Sequence, residues 1–182
     1  MNRNHGFEIR DTSLITDVGF LSIERRRVST PSGTSVDRFV VVHPGAVAVV
    51  PRIGNDVVLI AQYRPAVDAV VLEIPAGKLD ATDTDRESAA RRELLEETGL
   101  RAGTLDHLTD LVTAVGFSDE VISLYVADDP EPGDAEPEGE EELASEIVTM
   151  TWNEALTAID TGMITDAKTV AGILLANRRG TP

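Results

Sequence analysis

The sequence predicts an α+β fold: a layered α/β/α arrangement with a mixed β-sheet between helices, preceded by extra β-strands at the N-terminus. Three observations carry this. The element order is strands over residues 7–74, one strongly marked helix at 85–98, further strands, then two helices. The runs Ala46–Val50 (AVAVV) and Asp56–Ile60 (DVVLI) are apolar and β-branched, the composition of core strands. Helix starts and stops stand in the sequence as capping residues near 84, 99, 151 and 166.

Taken in order, residues 7–40 read as short strands, with Pro31-Ser32-Gly33 as a hairpin turn. Arg25, Arg26 and Arg27 read either as an exposed strand edge that discourages aggregation or as a face for an anionic ligand, the edge being favoured. The AVAVV and DVVLI strands form a second hairpin, and Pro65 ends the latter after Gln62-Tyr63-Arg64. Val70–Ile74 is a short strand running into Pro75-Ala76-Gly77. Beyond the central helix, 103–115 is broadly strand-like, 116–120 is a loop and Val121–Val126 is a clear strand. Residues 128–142, rich in Pro, Glu and Gly, read as a loop. Glu146–Thr151 is a strand, and Thr151 with Glu154 forms a capping-box pattern opening a helix at 153–160. Asp166 caps a last helix over 167–178, amphipathic through Val170, Ile173 and Leu174.

The totals narrow the chemistry. A chain of 182 residues with 42% hydrophobic content suffices for one domain with a proper core and a small N-terminal appendage. The absence of cysteine removes disulfides, thiol nucleophiles and zinc–thiolate sites together. There is no run of 18 apolar residues, so no membrane span is expected. The stretch MNRNHGFEIRD lacks the apolar core of a signal peptide, and a cytoplasmic location is the expectation. A net charge of −16 argues against a nucleic-acid partner, which needs a basic footprint. It is compatible with a small phosphorylated substrate whose charge is met by bound metal and a few arginines. Much of the excess is local: Asp128–Glu146 holds ten acids and no Lys or Arg, leaving 22 acids against 16 bases elsewhere. His5, His43 and His107 are isolated and share no metal-ligand spacing.

The most informative stretch is Gly77–Leu100, GKLDATDTDRESAARRELLEETGL. Thr84 with Glu87 fits a capping box, Ala89, Ala90, Leu94 and Leu95 give the helix an apolar side, and Gly99 supplies the stop. Glu93, Glu96 and Glu97 stand at i, i+3 and i+4, so at about 100° per residue they share one narrow helix face. Like charges so placed repel, and a hard divalent cation with a preference for oxygen ligands would offset that repulsion. An EF-hand reading of Asp83, Asp85 and Glu87 fails, because Ser88 stands where the turn glycine belongs and Leu94 where the bidentate glutamate belongs.

Arg92, Glu93, Leu94, Glu96, Glu97, Gly99 and Leu100, with Gly77 ahead of them, resemble the Nudix box, G-x5-E-x7-R-E-U-x-E-E-x-G-U with U a bulky aliphatic residue. The loop after Gly77 is one residue longer than that pattern. The early glutamate has no counterpart: counting back from Arg92 lands on Thr84, with Asp83, Asp85 and Glu87 nearby. The stretches RRRVSTPSG, RFVVVHPGAVAVVP, LIAQYRPAV and LEIPAGKLD are similar to the ADP-ribose pyrophosphatase branch of the family, as are the acidic segment and the NEAL helix start. Phe117-Ser118-Asp119-Glu120 continues the likeness, while Val115 stands where that branch often carries a proline.

The resemblance implies a Nudix-like α/β/α sandwich over 43–182 and an N-terminal β-rich dimerisation segment over 1–42, whose strands exchange in a homodimer and help build each site. It implies Mg2+-dependent hydrolysis, with Mn2+ as a substitute, of the diphosphate linkage of ADP-ribose or a related nucleoside-diphosphate sugar. From ADP-ribose the products would be AMP and ribose 5-phosphate. The metal ligands would be Glu93, Glu96, Glu97 and the Ala76 carbonyl, with Gly77 permitting close backbone approach. A loop glutamate, Glu142 first or its neighbour Glu141, would orient or deprotonate the attacking water. Arg92 would orient the carboxylates. Arg64 would meet the diphosphate or pair with Glu73, and Glu73 would contact the substrate's base or the partner subunit. Arg27, Phe117 and Glu120 complete the substrate-facing set. Two alternatives stand beside this: hydrolysis of a dinucleotide or damaged nucleotide, and a non-catalytic nucleotide-binding module, against which the intact Glu93/Glu96/Glu97 set counts.

Overall fold

A computed structural model describes residues 4–135 and 143–180. Glu141 and Glu142, the two candidates for the water-activating base, lie outside the described residues.

The chain forms two compact units: Met1–Gly45 with Val112–Val121, and Ala46–Leu111 with Ile122–Pro182. In the first, β1 (Glu8–Val18), β2 (Leu21–Ser29) and β3 (Ser35–Val42) make an antiparallel sheet in the order β1-β2-β3. The turn between β2 and β3 is closed by the Thr30 N–H donating to the Thr34 carbonyl at 2.8 Å. Gly33 takes φ 83° there, a backbone shape that glycine adopts without strain. Arg25, Arg26 and Arg27 therefore lie on the central strand of this sheet, which corrects the reading of them as an exposed edge. The sequence hid this because the order of strands in a sheet depends on which strands pair, and local composition does not show it. Residues 112–121 join the unit through β3 and β2: the Val41 N–H donates to the Phe117 carbonyl at 2.7 Å, and Arg26 donates to Asp119 at 3.0 Å.

The second unit is built on a seven-stranded mixed sheet. Its main path runs β12 (Glu146–Thr151), β5 (Asp56–Arg64), β4 (Ala46–Ile53), β10 (Val121–Asp128) and β9 (Asp106–Val112). β6 (Ala69–Glu73) pairs with β5, and β7 (Ala76–Lys78) with β4. β4 and β10 run parallel, whereas β4–β5, β5–β12 and β5–β6 are antiparallel. Val47, Val49 and Tyr125 meet Ala89, Ala90 and Leu94 of α1 (Arg86–Thr98) on one face. Ala48, Val50, Val57, Leu59 and Leu124 meet α2 (Trp152–Asp160) and α3 (Ala167–Arg178) on the other. This is the expected α/β/α sandwich, with β4 sealed on both faces.

Several local expectations hold and others shift. Thr151 and Glu154 form the capping box of α2, Asp166 caps α3, and Gly99 ends α1 at φ 66°. The cap of α1 is one residue later than expected: Asp85 Oδ1 accepts from the Ser88 N–H at 2.7 Å, and Ser88 Oγ accepts from the Asp85 N–H at 3.1 Å. Glu87 is drawn instead to Arg91, its i+4 neighbour, at 2.8 Å. Residues 76–78 form β7, and β8 (Leu100–Arg101) pairs with β11 (Glu131–Pro132) at the start of the acidic segment. Leu174 is exposed rather than core, because α3 turns Thr169, Gly172, Ile173 and Ala176 inward. Among the described residues, no helix is long and apolar enough to cross a membrane.

Candidate active site

The site is assembled where α1 passes over β7. Ala89, Ala90 and Leu94 fasten the helix to the sheet, and Glu93 and Glu97 flank that buried stripe at only 6% and 7% exposure. Arg86 pins the start of the helix by donating to the Ala46 carbonyl and to Ser123 Oγ. Burial of a carboxylate without a compensating partner is unfavourable, so the surroundings of these two are diagnostic. Glu97 Oε2 accepts the Ala76 N–H at 2.8 Å. Glu93 lies so close to Gly77 that a Cβ there would fall 2.2 Å from its carboxylate carbon. Only glycine allows the backbone that near to Glu93.

Arg92 organises the remainder. Its Nη1 donates to Glu93 Oε1 and Glu96 Oε2, both at 2.8 Å, while its Nε and Nη2 donate to the two oxygens of Asp83 at 3.2 and 3.0 Å. The fixed fork of a guanidinium suits such a four-point hold. Hydrogen bonding to Arg92 holds the Asp83 carboxyl below the usual range, and Asp83 is in turn the main reason that Arg92 is pushed above its ordinary value. Asp83 lies beside the position that counting placed in the loop, and only its spacing from Arg92 hinted at this role.

Arg64 and Glu73 lie on the same unit. Arg64 Nε and Nη2 donate to Glu73 Oε1 and Oε2 at 2.7 and 2.8 Å, a two-pronged pair, and Lys168 Nζ also donates to Glu73 Oε2. Glu73 is 2% exposed. Burial by itself would push its carboxyl up, but Arg64 and Lys168 outweigh that and hold it below the usual range. The structure thus places Glu73 beneath Arg64 with both carboxylate oxygens engaged. Lys168 and Thr169 had no signal in the sequence beyond the Asp166 helix cap beside them, being 95 residues from Glu73 and Ile74.

The other expected substrate residues belong to the first unit. Arg27 pairs with Asp37 at 3.1 Å, Phe117 is 62% exposed, and Glu120 accepts from Thr113 Oγ1 at 2.6 Å. His43 Nε2 stands 3.5 Å from Glu120 Oε1.

The donors near β7 suit a hard divalent cation. They are oxygen only, carboxylates and backbone, and the glycine opening beside Glu93 is the kind of close approach a ligated loop requires. Among the described residues, no three His, Cys, Asp or Glu side chains already converge on one point. Arg92 occupies the space between Glu93 and Glu96 that a cation would share.

With this geometry in place, comparison with known proteins is informative. The NUDIX domain profile matches residues 42–172. A Bacillus methanolicus protein called methanol dehydrogenase activator is 37% identical over 147 residues, 80% of this chain and 79% of that one. An ADP-ribose pyrophosphatase from Mycobacterium tuberculosis (strain ATCC 25618 / H37Rv) is 37% identical over 175 residues, 93% of this chain and 83% of its own length. A crystal structure of an ADP compounds hydrolase superposes with a TM-score of 0.84 over 96% of this chain and 94% of that one at 21% identity, which speaks to the fold. Dependence on a divalent metal is general in the group so identified. The chain belongs to the Nudix hydrolase family.

Proposed function

We propose that this protein is a Mg2+-dependent pyrophosphatase that cleaves the diphosphate linkage of ADP-ribose, or of a closely related nucleoside-diphosphate sugar, to a nucleoside monophosphate and a sugar phosphate. The observation that carries the reading is the seam between α1 and β7, where two buried glutamates meet the Ala76 amide and a glycine that lets the backbone lie against the Glu93 carboxylate. The likeness to the M. tuberculosis ADP-ribose pyrophosphatase over 93% of the chain supports the substrate class.

In this reading Glu93, Glu96, Glu97 and the Ala76 carbonyl hold Mg2+, with Mn2+ as a substitute. The bound ion would neutralise phosphate oxygens and lower the pKa of a water. Arg92 orients Glu93 and Glu96 through the hydrogen bonds its Nη1 donates to both. Glu142, or else Glu141, accepts the proton of the attacking water. Arg64, braced by Glu73, offers its remaining N–H groups to a diphosphate oxygen. Arg27, Phe117 and Glu120 contribute contacts to the rest of the substrate. The protein works as a homodimer in the cytoplasm, joined through its N-terminal strands. Ile9, Leu14, Phe20 and Phe39, each more than half exposed on the first unit, favour such a partner.

The test is phosphate release, after a coupled phosphatase, from a panel of nucleoside-diphosphate sugars and dinucleotides, with Mg2+ and with EDTA. Cleavage of ADP-ribose above the other substrates, abolished by EDTA, is the expected result. Turnover of a dinucleotide instead would move the substrate. Silence across the panel from folded protein that binds Mg2+ would leave a nucleotide-binding module.

A further inference from the structure

The strand end that delivers Ala76 is tied down at successive polar points. The Ile74 N–H donates to Thr169 Oγ1 at 2.9 Å, the Val49 N–H donates to the Pro75 carbonyl at 2.9 Å, and the Ala76 N–H donates to Glu97. Two of these three anchors belong to the sheet and to α1. The third, Thr169, comes from α3 on the opposite face of the sheet and is fully buried.

Thr169 is itself held in one rotamer. Its hydroxyl donates to Asp166 Oδ2 at 2.6 Å, so its lone pairs are left for Ile74. Asp166 Oδ2 also caps the helix by accepting the Thr169 N–H at 3.0 Å, and it is bridged by Lys168, which reaches on to Glu73. The cycle Asp166, Thr169, Ile74, Glu73, Lys168 thus clamps two consecutive residues, Glu73 and Ile74, immediately before Pro75 and Ala76. Gly172, one turn further on, lets α3 sit close enough for the clamp: a Cβ there would fall 2.9 Å from Val50 Cγ2 and 3.1 Å from Ile74 Cδ1. Proline at 75 removes a donor and fixes φ, so little freedom is left between the clamp and Ala76.

We propose that Thr169 is a positioning residue for the cation site, acting through the Ile74 amide to set where Ala76 meets Glu97. The inference rests on the cation site assigned above. Outer partners of this kind are commonly worth about ten- to a hundredfold in metal affinity or activity.

The experiment is a Mn2+ titration of wild-type protein and of Thr169→Val, Thr169→Ala, Thr169→Ser and Glu97→Gln variants, following free Mn2+ by electron paramagnetic resonance, with thermal melts alongside. The expected outcome is at least about tenfold weaker Mn2+ binding in the valine variant and restoration to within about twofold in the serine variant, which keeps the hydroxyl. The alanine variant removes the hydroxyl without adding volume and carries the test if the valine variant does not fold. A merely structural threonine would lower the melting temperature and leave Mn2+ affinity unchanged, and that result overturns the proposal, as does loss of fold in both variants. Wild-type protein that binds no Mn2+, or a Glu97→Gln variant that binds as well as wild type, would overturn the cation site itself and this inference with it.

Discussion

Glu97 Oε2 accepts the Ala76 amide proton at 2.8 Å, binding the fourth turn of α1 to the first residue of β7. The carboxylate is 7% exposed, so it sits in a setting where charge matters and water does not dilute it. Replacing it with glutamine keeps an oxygen for Ala76 and removes the charge. Glu97→Gln is expected to retain the wild-type circular dichroism spectrum and to lose on the order of a hundredfold in kcat, about 3 kcal/mol. Near-normal turnover would take Glu97 out of the site.

Gly77→Ala separates the site from the fold. Its Cβ would fall 2.2 to 2.3 Å from the Glu93 carboxylate, the far end of a flexible side chain that can swing away. The melting temperature should change little, while Mn2+ or Mg2+ affinity, read by calorimetric titration, should fall by about tenfold or more. A variant with unchanged affinity would show that Glu93 is not needed where it stands.

Acid should loosen the second unit through two carboxylates. Glu73 and Asp83 both have folded-state pKa values below their ordinary ones, Glu73 because Arg64 and Lys168 outweigh its burial, Asp83 because of Arg92. A depressed carboxylate contributes stability that is fully present above the unfolded value, about 4, and is lost as pH falls through the folded one. Urea midpoints should therefore hold steady from pH 7 to 5 and drop below pH 4. Glu73→Gln should start from lower stability, because Arg64 loses its charged partner and Lys168 keeps only Asp166. Its midpoint should then fall less steeply with acid, and an equal fall in both proteins would remove Glu73 from this account.

Glu142→Gln should reduce kcat with little change in cation affinity, since the residue is assigned to the water and not to the ion. Stopped-time assays of Glu142→Gln and Glu141→Gln side by side decide the register. If only the Glu141 variant is crippled, the base is one residue earlier in the acidic run.

The helix carrying Glu93, Glu96 and Glu97, its glycine stop, the hairpin of β4 and β5, and the caps at Thr151 and Asp166 can all be read from residue spacing. These are short-range features, in which a side chain meets a backbone group three or four residues away or an apolar period repeats within one element, so local spacing is enough to read them. The site's chemistry was legible for the same reason, because three of its carboxylates share one helix face. Three features come from the packed chain alone: Arg25 to Arg27 lie on a central strand, residues 76–78 pair with β4, and Glu73 is buried beneath Arg64 and Lys168. Each of those depends on which strand lies beside which, or on a partner as far as 95 residues away. The spacing of Lys168 from Glu73 follows no local period. Their pairing arises because α3 packs over the sheet through Gly172 and Ile173, and packing of that kind is set by the shape of the whole core.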